Sequence, residues 1–234
     1  MYPYSDTTQT TAVNYGYDEG LRQFMLGVFN NMALGLGISA VIAYFVGISP
    51  EMLNLLFSGP QKWVVMLAPL VMVFFISFKI DSLSPHTARV LFFVYAALVG
   101  LSLSTIFAVF KMGSIANAFF STTAMFGLMS IWGYTTKRDL TKMGSFLMMG
   151  VLGLCAAGLI NIFLQSSILA FAVSAITVAV FTLLTAYDVQ SLKDIYYEVD
   201  GDDRERAGVL GALNLYMDFL NIFINLLQLF GDRK

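Results

Sequence analysis

Charge-free apolar stretches alternate with short polar breaks along most of this chain, and their lengths define the elements. A helix needs about 20 mainly apolar residues to cross the hydrocarbon core of a membrane. Leu21–Gly47 is the first such stretch, and Trp63–Phe78 is a shorter second one between Lys62 and Lys79. Val90–Phe110 and Ser114–Tyr134 are the third and fourth. No charge occurs from Met143 to Tyr187, a run too long for one crossing. Its only polar break, Gln165-Ser166-Ser167, predicts two helices joined by a tight hairpin. Asp188 falls near the end of the sixth helix, and Ala207–Phe230 forms the seventh with Asp218 inside it. The pattern predicts an all-α polytopic membrane protein with seven transmembrane helices. Residues 21–231 form one membrane domain, between a flexible tail of residues 1–20 and a short tail of residues 232–234.

Composition narrows the class. Of 234 residues, 58% are hydrophobic and 12% charged, whereas a soluble domain carries about 25% charged residues. That density excludes an ordinary water-soluble enzyme. A net charge of −2 leaves no basic footprint for nucleic acid. The single Cys155 forbids an internal disulfide, and the single His86 leaves no His-rich metal site; no cofactor is expected. Orientation follows from the basic residues. Arg22, Lys79, Arg89, Lys137, Arg138, Lys142, Lys193, Arg204 and Arg206 fall on one side, against Lys62, Lys111, Arg233 and Lys234 on the other. The amino terminus is therefore expected to be cytoplasmic and the carboxyl terminus outside, unless the seventh helix turns back. Residues 1–20 carry acidic groups and no positive charge, unlike a cleavable signal peptide. The acidic segment Lys193–Arg206 reads as a solvated turn.

Ionisable groups at membrane depth cost roughly 2.5–3.5 kcal/mol on insertion scales and mark function by default. Of the acidic residues only Asp188 and Asp218 lie inside spans, and no basic residue does. On the seventh helix Asn214, Asp218, Asn221, Asn225 and Gln228 are spaced 4, 3, 4 and 3, which makes one stripe about 80° wide at 100° per residue. Such a stripe must face protein or water rather than lipid. It either lines a cavity or bonds neighbouring helices. A weaker stripe of Ser174, Thr177, Thr185, Asp188 and Ser191 marks the sixth helix. If the two carboxyls meet, they share a proton and titrate as a unit. Such a pair is a proton-sensitive plug and, doubly ionised, a weak site for a divalent cation. Ca²⁺ takes six to eight oxygens, some of which Asn214, Asn221, Thr185 or water could supply.

Three strings carry a family resemblance: Ala212-Leu213-Asn214-Leu215-Tyr216-Met217-Asp218-Phe219-Leu220-Asn221-Ile222-Phe223, Ala186-Tyr187-Asp188-Val189-Gln190, and Gly100-Leu101-Ser102-Leu103-Ser104. Over nearly its whole length the chain resembles the Bax inhibitor-1 family in a bacterial version. The resemblance implies a central seventh helix and a pH-sensitive Ca²⁺ leak of the bacterial inner membrane, governed by Asp188 and Asp218. Asn214, Asn221 and Asn225 would line the route, with Ca²⁺ as the transported ion and protons as the partners that gate it. It also implies a latch at the end of the second helix, where this chain has Lys79 instead of the family's arginine. Lysine keeps the charge but loses the planar fork.

Rival readings are a non-conducting regulator of another membrane protein, such as an ATP-dependent protease, and an intramembrane aspartyl protease. The latter resembles a Gly-x-Gly-Asp pattern, whereas Leu215-Tyr216-Met217 precedes Asp218. No enzymatic activity is expected.

Overall fold

A computed structural model describes residues 18–234, so the expected amino-terminal tail lies, up to residue 17, outside the described residues. Seven helices are long and apolar enough to cross a membrane. The first is α1 (Glu19–Gly47), followed by a short α2 (Pro50–Phe57) and the second span, α3 (Gln61–Lys79) with one 3-10 turn to Ser82. The third span is broken into α4 (Pro85–Leu103) and α5 (Ile106–Val109). Then come α6 (Met112–Thr135), α7 (Thr141–Leu164), α8 (Ser167–Glu198) and α9 (Gly201–Phe230). Among the described residues there is no strand, only an isolated bridge between Phe110 and Arg233.

Local chemistry sets these boundaries. Asp18 opens α1 by accepting from Leu21 N at 3.1 Å, and that N–H holds its carboxyl below the usual carboxylate range. Ser49, Ser84 and Ser166 cap α2, α4 and α8 in the same way. The polar break between the fifth and sixth spans is a hairpin, as expected. Gln165 takes the left-handed conformation at φ 50° and stops α7, while Asn161 Oδ1 accepts from Ser166 N at 3.1 Å.

Three segments differ from the sequence reading. The linker after α1 contains α2, where Pro50 at the first helical position suits a start. The third span begins five residues earlier than Val90 and breaks at Ser104. The acidic segment Lys193–Arg206 is almost wholly helical: α8 runs on to Glu198, and α9 starts after a two-residue turn at Val199-Asp200. Charge density marked it as a loop. At 1.5 Å per residue, α8 and α9 are each about 45–48 Å long, so their charged turns stand beyond a core about 30 Å thick.

The core is built on α9. Of its most apolar stretch 61% is buried, against at most 39% in any other span. It packs on α8, α1, α6 and α4, whereas α3 and α7 lie at the periphery. The seventh helix is thus central. Contacts sort the connections into two ends. At one end Tyr197 Oη donates to Asp18, and Arg206 Nη1 donates to Leu83 O at 3.0 Å. At the other, residues 232–234 pair with the α5–α6 connection: Lys111 N donates to Asp232 O and Lys234 N to Val109 O. The seventh helix therefore does not turn back.

Candidate functional site

The turn at Val199-Asp200 folds α8 and α9 into a long hairpin, and the two acidic residues meet between its arms. The carboxyls of Asp188 and Asp218 lie close enough to interact with each other, with Thr185 beside Asp218. Asp218 is only 4% exposed, Thr185 is fully buried and Asp188 partly so. Thr185 Oγ1 donates back to Phe181 O at 2.9 Å. Asp218 Oδ2 is buried without any N–H or hydroxyl donor among the described residues. The described ion pairs, Arg22–Glu19, Arg204–Asp200 and Arg206–Asp203, all lie at helix ends. Among the described residues no basic side chain forms an ion pair with Asp188 or Asp218.

A small cavity of about 80 Å³ leads from this pair towards the turn. Asp188, Ser191 and Asn214 supply its polar wall, with Ala207, Leu210 and Gly211 opposite. That volume holds two or three waters at about 30 Å³ each. Beyond Asp218 the stripe behaves differently. Asn221 Nδ2 donates to Met217 O at 2.9 Å and Asn225 Nδ2 to Asn221 O at 2.8 Å. Both amides fold onto their own helix, and among the described residues no donor reaches their Oδ1 atoms. Gln228 Oε1 accepts from Ser174 Oγ at 3.2 Å, so the last member of the stripe does bond α8.

The structure thus brings Asp188, Asp218, Thr185 and Asn214 to one place and leaves Asn221 and Asn225 one and two turns away. It does not bring Lys79 to them. That residue ends α3, is exposed, and belongs to a helix packed chiefly on α4. The basic side chain that does join the α3–α4 turn to α9 is Arg206, which also pairs with Asp203.

Side chains that periodicity did not single out hold the pair in place. Tyr216, on the apolar face of α9, is fully buried, and its hydroxyl lies 2.6 Å from Ser39 Oγ of α1. Ser39 in turn donates to Ala96 O of α4 at 2.6 Å. A Cβ on Gly100 would lie 2.8 Å from Ser39 O, so glycine there lets α1 and α4 approach. On α8, Ala186 crosses Gly133 of α6 so closely that a Cβ on that glycine would lie 2.2 Å from Ala186 O. Tyr187 covers Gly144 of α7. Gln190 clamps the α6–α7 connection, accepting from Leu140 N at 2.7 Å and donating to Arg138 O at 2.8 Å. Each of the three sequence strings is therefore a packing solution around Asp188 and Asp218. Residues 21–234 match the family described as inhibitor of apoptosis-promoting Bax1.

The chain belongs to the Bax inhibitor-1 family. Its relatives include the uncharacterized protein RP147 of Rickettsia prowazekii, 40% identical over 235 residues with both chains covered completely. The inner membrane protein YbhL of Escherichia coli strain K12 is 42% identical over 219 residues, covering 92% of this chain and 94% of YbhL. A Caulobacter vibrioides protein is 41% identical over 242 residues, covering 99% and 97%. This family is one of membrane proteins rather than a known enzyme family. The match over residues 21–234 takes in nearly all of the helical bundle, with α9 at its centre.

Proposed function

We propose that this protein is a pH-sensitive calcium leak, with the Asp188–Asp218 pair as its gate. The observation that carries this reading is the approach of two buried carboxyls with which, among the described residues, no basic side chain pairs. Two like charges about 4 Å apart repel by about 4 kcal/mol at an effective dielectric near 20. That exceeds what one neutral hydrogen bond, about 1 kcal/mol, returns. The pair therefore keeps a proton between its carboxyls while the helices stay closed, and full ionisation drives the arms of the hairpin apart. Doubly ionised, the pair attracts a divalent cation, with Asn214 beside it and the Oδ1 atoms of Asn221 and Asn225 further along. Among the described residues no three His, Cys, Asp or Glu side chains cluster. Two carboxylates alone bind Ca²⁺ weakly, which suits passage better than storage. Arg206, by donating to Leu83 O, ties the start of α9 to the α3–α4 turn, near the end of α3 where the resemblance implies a latch at Lys79. The reading places the protein in an inner membrane with its amino terminus in the cytoplasm, in line with the distribution of basic residues and with the location in the name of YbhL.

A second reading, a non-conducting regulator, draws on α7. A Cβ on Gly153 or Gly158 would meet nothing within 4 Å, so these glycines serve no packing inside the chain and leave a smooth face for another helix.

The deciding experiment is Ca²⁺ uptake into dye-loaded liposomes, stepped from about pH 8 to about pH 6, the span in which paired buried carboxyls titrate. Wild-type protein is expected to give a flux that changes with pH, and Asp188→Asn and Asp218→Asn each to abolish that dependence. A flux no greater than that of empty liposomes at every pH overturns the leak in favour of the regulator.

A further inference from the structure

An apolar cleft of about 400 Å³ lies between α1 and α6, distinct from the cavity beside Asp188 and running towards the end of the bundle where residues 232–234 dock. Phe219 and Phe223 of α9 form its floor, Ala40 and Tyr44 one wall and Phe119 the other, while Phe107 of α5 closes one end. Tyr44, Phe119 and the neighbouring Met112 are 40–50% exposed, so the cleft opens sideways from the bundle. In a bilayer that direction leads into hydrocarbon, where an unfilled apolar groove would forfeit dispersion contacts along its whole length.

The closed end of the cleft is basic. Lys111 immediately precedes Met112, and Lys234 Nζ donates to Phe107 O at 2.6 Å, the backbone of a lining residue. Arg233 stands with its guanidinium 5.9 Å over the ring of Phe110. These three cations face one acid in the same segment, Asp232. No side chain caps α6 there, so the first N–H groups of Met112 and Gly113 have no acceptor among the described residues. The lysine ammonium charge, the arginine fork, free N–H groups and the positive end of a helix all favour a phosphate oxygen.

We propose that this cleft is a binding site for one anionic phospholipid, its acyl chain lying on Phe219 and Phe223 and its phosphate held by Lys111, Arg233 and Lys234. The match is between an apolar slot and a cationic cap at the depth where a lipid changes from chain to headgroup. The site stands independently of the leak reading. Its floor is nonetheless α9, one residue on from Asp218, so the lipid braces the helix that carries the pair.

The test is native mass spectrometry of the full chain after stepwise delipidation, with phosphatidylglycerol and phosphatidylcholine supplied in equal amounts. Wild type is expected to retain one phosphatidylglycerol per chain, with about tenfold preference over phosphatidylcholine, from the attraction of the three cations partly offset by Asp232. Lys111→Gln/Arg233→Gln/Lys234→Gln is expected to lose the preference, and Ala40→Trp, which fills the slot, to lose retention. Ala116→Leu, a milder filling of the same slot, keeps the test valid if Ala40→Trp does not fold. Equal retention of both lipids, or undiminished retention in a folded slot-filling variant, overturns the proposal, as does displacement of the lipid by millimolar inorganic phosphate alone.

Discussion

At the scale of single residues, the pair at Asp188 and Asp218 was legible by elimination, because a carboxylate in an otherwise uncharged span has few structural excuses. Ser39, Tyr216 and Gln190 were not legible. A lone serine or tyrosine in an apolar helix looks the same whether it bonds its own helix or a neighbour 177 residues away, and here Ser39 does both. Lys79 was placed at the right end of the bundle but on a peripheral helix, which charge counting along a chain cannot distinguish from a central one. The Ser39–Tyr216 contact makes an asymmetric prediction. Tyr216→Phe removes one donor while Ser39 keeps Ala96 O, and it is expected to cost about 0.5–1.5 kcal/mol. Ser39→Ala strands the Tyr216 hydroxyl in a fully buried position and is expected to cost more, about 1–3 kcal/mol. Thermal unfolding in detergent reads the order, and equal effects would show that the hydroxyl finds another partner.

At the scale of helices, length and charge gave the seven spans and the hairpin at Gln165-Ser166 with little error, since the bilayer imposes both. The failures came where helices ignore the water boundary. α8 and α9 continue beyond any membrane core because their ends pack on each other, with the Arg204 guanidinium 4.3 Å over the Tyr196 ring. Which glycines matter was also hidden in the sequence, because the reason lies across an interface. Gly133 permits the α6–α8 crossing that sets the depth of Asp188, while Gly153 faces open space. Gly133→Ala is therefore expected to push the helices apart at a cost of about 1–3 kcal/mol. Gly153→Ala should melt no lower than wild type and can gain up to about 1 kcal/mol of helix propensity. Parallel melts of the two variants decide whether the crossing is as tight as the contact implies.

At the scale of the whole molecule, an odd number of spans puts the α2–α3 linker and the α6–α7 connection on opposite faces. With Cys155 replaced by Ser, Ser58→Cys is expected to react with an impermeant maleimide in intact cells. Lys137→Cys is expected to react only after permeabilisation, as the basic-residue bias requires. Labelling of both from the same side would contradict the alternation of spans. The central position of α9 was carried only by the family resemblance; its polar stripe alone allowed either a lined cavity or glue between helices. The structure divides that stripe, with Asn214 at a cavity, Asn221 and Asn225 turned onto their own helix, and Gln228 bonded to α8.

That the core helix is also the last of the seven spans has a consequence for biogenesis. Until α9 inserts, the six earlier spans stand without the surface they are shaped to enclose. Ser39 lacks Tyr216, Ala186 and Asp188 lack a third neighbour, and α1 and α6 have nothing between them. Assembly of this protein is thus a final closing step rather than a gradual accretion, and a chain that stops before Gly201 carries every wall of the bundle and none of its centre.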